Sequence, residues 1–146
     1  MIVRIILAVL IVFVLWSGLD AVVHGVLLAP TYEKMANLWR APDEMKIGLA
    51  WTTTAVAAAC FVLVYALLVR PKSVGMGLLW GLLYGVGSGI GMGLGSYSYM
   101  PIPLELAAAW FGLVVVEALA AGLIVALVVG KPAPVIQPAE GAGAPQ

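Results

Sequence analysis

Residues 75–95 read GMGLLWGLLYGVGSGIGMGLG, an uncharged run whose glycines keep step. Gly77, Gly81, Gly85, Gly89 and Gly93 recur every four residues, and Gly87, Gly91 and Gly95 form a second row. Residues four apart share one side of an α-helix, so the first row presents bare backbone along a single stripe. Apolar burial between helices gains little in lipid, where association depends on the close van der Waals approach that glycine permits. The run also has about the 20 residues that roughly 30 Å of hydrocarbon requires at 1.5 Å rise per residue. It is read as a membrane-spanning helix. The first use of its stripe is packing within the chain, the second a symmetric dimer, and the third a flexible helix serving transport.

Three more apolar runs lie outward of this one. The first goes from Ile5 to Ala29, interrupted only by Ser17, Asp20 and His24; the second, Ile47 to Val69, carries no charge and ends at Arg70-Pro71-Lys72. The last, Leu106 to Gly130, contains Glu117. Composition agrees: 64% of the 146 residues are hydrophobic and 10% charged, with a mean hydropathy of +1.12. A soluble domain is about half apolar and a quarter charged, and one of this length could not bury such an excess. The expected architecture is an all-α polytopic membrane protein, a four-transmembrane-helix bundle forming one domain over 1–130. Its spans are expected at about 5–29, 47–69, 75–95 and 106–130. Residues 131–146, rich in Pro, Ala and Gly, are expected to be a disordered tail.

The chain between the spans has its own signals. Pro42 and Pro103 suit first-turn positions, with Asp43, Glu44 and Glu105 just inside, while Pro71 and Pro132 stop helices. Thr31 to Trp39 predicts a short interfacial helix between the first two spans, with Thr31 as N-cap and Met35, Leu38 and Trp39 on one face. Tyr32, Trp39, Tyr97, Tyr99 and Trp110 are expected to form an outer aromatic belt, with Tyr65 and Trp80 near the inner one. Arg4, Arg70, Lys72 and Lys131 fall on the side of the termini, against Lys34, Arg40 and Lys46 on the other. The positive-inside rule then puts both termini in the cytoplasm. A weak internal similarity aligns Leu15-Trp16 with Leu79-Trp80, Asp20 with Tyr84, His24 with Ser88 and Gly25 with Gly89. It suggests two parallel two-helix repeats related by an axis along the membrane normal.

Three ionisable residues stand inside the spans: Asp20, His24 and Glu117. Each costs about 2.5–3.5 kcal/mol at a helix centre on insertion scales. Asp20 and His24 are one helical turn apart and share a face. Counting from helix midpoints puts Glu117 near the midplane, Asp20 about 6 Å and His24 about 12 Å towards the outer side. Thr53, Thr54 and Ser88 fall near the level of Asp20, with Tyr84 close by, so these groups are expected to form one polar layer. In one reading Glu117 is interhelical glue, bonded to Tyr84, Ser88 or a threonine. In the other, Glu117 and Asp20 handle protons or a cationic solute, and His24 relays protons outward.

Other chemistries find no support. Seven basic and seven acidic residues cancel, so no basic field exists for nucleic acid. Cys60 is alone in an apolar run and reads as a packing residue. There is no GxSxG, Walker or CxxC motif and no metal-ligand spacing, and the GxGxxG-like spacings arise from glycine density within a span. No enzyme, cofactor or metal is expected.

The Trp16–Asp20–His24 helix, the Glu33–Trp39–Glu44 connector and the glycine-rich helix ending in Tyr97-Ser-Tyr-Met-Pro-Ile-Pro103 carry one resemblance. Over residues 1–130 the chain resembles small four-span bacterial inner-membrane proteins that have no established activity. The resemblance implies a fold and a membrane, and no functional residue. The pattern differs from the small multidrug-resistance transporters, whose essential carboxylate sits in the first helix of a shorter chain. The leading expectation is a non-enzymatic accessory subunit or homo-oligomer in the lipid bilayer, packed through the glycine stripe against itself or a membrane-protein partner. The alternative is a proton-coupled transporter of a small solute or ion, using Glu117 with Asp20 and His24.

Overall fold

A computed structural model describes residues 1–130, and the expected tail, with Lys131 and Pro132, lies outside the described residues. The fold is all-α, with no strand among the described residues. Helix α1 (Ile2–Val22) continues into a π-helical turn, Val23–Leu27. A short α2 (Ala29–Glu33) and two 3₁₀ turns, Ala36–Leu38 and Pro42–Glu44, form the connector to α3 (Ile47–Leu68). Helix α4 (Val74–Ile90) passes through a second π-helical turn, Gly91–Gly95, into α5 (Ser96–Tyr99), and α6 (Leu104–Val128) follows. Four continuous helical segments are long and apolar enough to cross a membrane: Ile2–Leu27, Ile47–Leu68, Val74–Tyr99 and Leu104–Val128. The third has the lowest mean hydropathy, 1.3 against 2.0 to 2.7, because glycine stands where the others carry aliphatic side chains.

Local chemistry moves several expected boundaries. The connector helix starts at Ala29 and has no side-chain cap, so Thr31 lies inside it. The reason is Pro30, whose fixed φ favours a first helical turn and nucleates the helix before the threonine. The helix also breaks by Met35, so the expected single interfacial helix to Trp39 is two short pieces. Residues 96–99, expected to be loop, are helical, and the chain leaves the helix only at Met100, before Pro101. Ser73 caps α4, its Oγ accepting from the Met76 amide at 3.2 Å. At the end of α3 the Lys72 ammonium donates to the carbonyls of Tyr65, Ala66 and Val69, and Arg70 also reaches Ala66 and Val69. These basic groups therefore satisfy carbonyls that α3 leaves without an intrahelical donor.

The core combines small and aliphatic side chains, Ala8 and Val12 of α1, Ala58 and Val62 of α3, and Ala118, Ala121 and Val125 of α6, with the aromatic Trp16, Phe61 and Tyr65. The outer surface exposes Leu10, Val14, Leu63 and Leu83, the apolar periphery that lipid solvates. The closest helix pair is α4 with α6. A Cβ on Gly77 would overlap the Gly122 carbonyl oxygen, one on Gly81 the Ala118 carbonyl, and one on Gly93 the Ala107 carbonyl. One on Gly85 would lie 2.9 Å from Val115 Cα, and one on Gly89 would lie 3.1 Å from the Phe111 oxygen. Gly122 answers from α6, meeting Gly77 in return. The second row behaves differently: Gly87 and Gly91 have nothing within 4 Å.

Aromatic side chains join the two helix pairs. Trp16, Phe61, Trp80 and Tyr84 pack together, with centroids 5.0 to 6.2 Å apart. The Trp16 indole of α1 donates to the Glu117 carbonyl of α6 at 2.9 Å, and the Trp80 indole of α4 donates to the Phe61 carbonyl of α3 at 3.2 Å. The first helix of each pair thus reaches the second helix of the other. Among the described residues the close glycine approach joins α4 and its π turn to α6.

The aromatic belt takes another form. Trp110 is only 8% exposed. With Tyr32 and Trp39 it forms an internal cluster beneath the connector, next to Ile102 and Leu106. Tyr97 and Tyr99 remain exposed, whereas Tyr65 is fully buried and donates to the Ser73 carbonyl at 3.2 Å.

Candidate intramembrane polar site

A cavity of about 280 Å³ opens between the helices. From α1 and its π turn come Trp16, Asp20 and His24; from α3, Thr53 and Thr54. From α4 come Tyr84 and Ser88, and from α6 Trp110 and Glu117. The seven polar residues singled out in the sequence, Asp20, His24, Thr53, Thr54, Tyr84, Ser88 and Glu117, all line this one space.

Glu117 lines the cavity and is 8% exposed. Its main-chain carbonyl receives the Trp16 indole, but its carboxyl Oε1 is buried without a hydrogen-bond partner among the described residues. Three of the hydroxyls expected to bond it are engaged elsewhere. Thr53 donates to the Ala50 carbonyl at 2.8 Å, Thr54 to the same oxygen at 3.1 Å, and Ser88 to the Tyr84 carbonyl at 2.5 Å. A Ser or Thr on a helix in an apolar setting turns its proton back onto the preceding turn, because no water competes for it.

A second group runs from the cavity to the connector. His24 Nε2 lies 3.6 Å from Asp20 Oδ1, with both side chains half-buried. His24 Nδ1 is 2.5 Å from the Tyr32 hydroxyl, which accepts a hydrogen bond from the Trp110 indole at 2.8 Å. Since Trp110 can only donate, the Tyr32 proton is free to point at Nδ1 of a neutral imidazole. The imidazole proton then sits on Nε2, facing Asp20. Burial pushes the Tyr32 phenol above its usual range; the Trp110 hydrogen bond offsets this in part, and the nearby Asp20 charge adds to the rise. Tyr32 therefore keeps its proton at neutral pH. His24 lies in the π turn Val23–Leu27, and π turns occur often at functional sites.

Under the connector lies a second, larger cavity of about 650 Å³, bordered by Tyr32, Trp39, Arg40 and Lys46. His24, Met92 and Trp110 line both cavities, so they form the partition between them. Among the described residues no three His, Cys, Asp or Glu side chains come together.

No protein family, curated protein or solved structure matches the chain.

Tyr32 and Trp110 are the site residues that sequence reasoning placed elsewhere, as membrane-interface anchors. A signal did exist: Tyr32 follows His24 by eight residues, close to two helical turns. The pairing of Trp110 with Tyr32 had none, because the two lie 78 residues apart.

Proposed function

We propose that this protein is a proton-coupled membrane transporter of a small solute, in which Glu117 is the coupling carboxyl and Asp20 and His24 serve it. One observation carries the reading: a buried glutamic acid lines a cavity, and its carboxyl Oε1 has no hydrogen-bond partner among the described residues. Interhelical glue works by hydrogen bonding, each contact contributing about 0.6–2 kcal/mol in a bundle. An unbonded buried group instead costs about 1–3 kcal/mol. A cost of that kind is kept where a group must exchange partners, here a proton and a solute. The glycine row supports the same choice, since α6 occupies it within the chain and an accessory-subunit role loses its main argument.

In this reading solute and proton compete for Glu117. The run Asp20–His24–Tyr32 offers a proton route between the cavity and the connector. With the membrane taken as a bacterial inner membrane and the termini as cytoplasmic, the connector lies outside. The test follows the carboxyl infrared band of reconstituted protein between about pH 5 and pH 9, with Glu117→Gln identifying the band. A band that titrates reversibly supports coupling. A band that stays constant throughout, in protein that remains folded, refutes it.

A further inference from the structure

We infer that the cavity takes a small organic cation, an alkylammonium or quaternary ammonium compound; this deepens the transport reading and rests on it.

The donors and acceptors of the lining decide the charge of the occupant. Among the described residues lining the cavity there are two carboxylic side chains, Asp20 and Glu117, and neither Lys nor Arg. The single basic group, His24, has its two nitrogens directed at Asp20 and Tyr32. The hydroxyls of Thr53, Thr54 and Ser88 give their protons to main-chain carbonyls, which leaves oxygen lone pairs for the cavity. The indole N–H groups of Trp16 and Trp110 are likewise engaged, on the Glu117 carbonyl and the Tyr32 hydroxyl. The Tyr84 hydroxyl is the donor that remains in the lining, so the space holds more acceptors than donors. An anion would meet two carboxyls and few protons to accept.

The walls decide between an inorganic and an organic cation. Trp16 and Tyr84 stand nearly parallel, with planes 14° apart and centroids 6.2 Å apart, and Trp110 adds a third ring to the lining. Aromatic faces attract cations through the ring quadrupole and suit the alkylated ammonium groups that leave part of their hydration behind. A hard metal ion would require several oxygens converging at about 2.0–2.6 Å, from a group of carboxylates that does not assemble here. At about 280 Å³ the cavity falls at the small end of ligand pockets. The buried, unbonded Glu117 Oε1 is the group left to neutralise the charge.

The experiment titrates purified wild-type protein in detergent with tetramethylammonium, choline and benzylammonium, reading binding by calorimetry and tryptophan emission. The controls are 3,3-dimethylbutan-1-ol, which has the shape of choline without its charge, the anion 3,3-dimethylbutanoate, and sodium and potassium chloride. The expected result is saturable binding of at least one organic cation, at least about tenfold tighter than the neutral isostere. The anion does not bind, sodium and potassium do not displace the cation, and Glu117→Gln weakens cation binding by about tenfold or more. The inference is overturned if no cation of the panel binds below about 10 mM. It is also overturned if the neutral isostere binds equally well, if alkali ions compete on equal terms, or if Glu117→Gln binds like wild type. The comparison of cation with isostere needs no variant, so a misfolded mutant does not spoil it. Absent cation binding with a Glu117 band that still titrates refutes the cation and leaves proton coupling standing. A constant band refutes the coupling itself.

Discussion

Replacing Glu117 by methionine should make the protein more stable while ending its activity. Glu117 is 8% exposed and its Oε1 finds no hydrogen-bond partner among the described residues. Leaving such a group unsatisfied costs about 1–3 kcal/mol, which a side chain of similar volume without polar atoms removes. Methionine adapts to irregular space and makes favourable contacts with aromatic rings such as Trp16. The hydrogen bond from Trp16 goes to the main-chain carbonyl of residue 117 and survives the change. Part of the gain is lost because the new side chain faces Asp20 and the hydroxyl oxygens, so the net expectation is a stabilisation of about 1–2 kcal/mol. Reversible unfolding in mixed micelles, with dodecyl sulfate as denaturant, measures the difference from the shift in midpoint at constant slope. If Glu117 instead held helices together, the variant would lose about 0.6–2 kcal/mol. The two expectations have opposite sign. A variant less stable than wild type by about 1 kcal/mol or more would show that the carboxyl has a partner and would remove the observation on which the transport reading stands.

The glycine rows give a paired test in the same assay. Gly81→Ala drives a Cβ into the Ala118 main chain and should cost about 1–3 kcal/mol, whereas Gly87→Ala, with nothing within 4 Å, should gain about 0.5–1 kcal/mol from helix propensity. Equal effects at the two sites would contradict the packing. Tyr32→Phe keeps the ring but removes the hydroxyl that joins His24 to Trp110, which should slow proton exchange at the cavity in pH-jump infrared measurements. The same variant tests the raised phenol pKa. The neutral phenol's contribution to stability is complete below the unfolded value near about 10 and is lost as pH rises through the higher folded value. Wild type should therefore lose more stability than Tyr32→Phe on going above about pH 10. Ser73→Ala removes the only side-chain cap among the described helices and should cost about 1 kcal/mol, read from the unfolding midpoint.

Much of the fold was legible because a bilayer imposes simple demands on a chain. Every main-chain polar group must be satisfied internally, so four predominantly apolar runs of about 20 residues can only be helices. Asp20 and His24 could be paired from their spacing, since one helical turn holds them on one face whatever surrounds the helix. The gathering of Asp20, Glu117 and the hydroxyl residues was suggested by depth, because residues at one level of parallel and antiparallel helices meet if they face inward. Depth could not say which way each side chain bonds.

Those choices belong to the tertiary structure. The five glycines spaced by four defined a stripe, but α6 covers it because Gly122, Ala118 and Ala107 lie at matching heights, which no reading of α4 alone contains. Glu117 was assigned partners among Tyr84, Ser88 and the threonines, yet the hydroxyls of Thr53, Thr54 and Ser88 turn back to their own helices and leave the carboxyl unbonded. Tyr32 and Trp110 were read as interface anchors from residue type, whereas in the fold the Tyr32 hydroxyl meets His24 and accepts from the Trp110 indole. Hydrophobicity and periodicity act along the chain, so the sequence by itself determined that four helices are long and apolar enough to cross a membrane and that Asp20 and His24 share a face. Hydrogen-bond partnership and cavity shape depend on distances between helices remote in sequence, and only the packed bundle decided them.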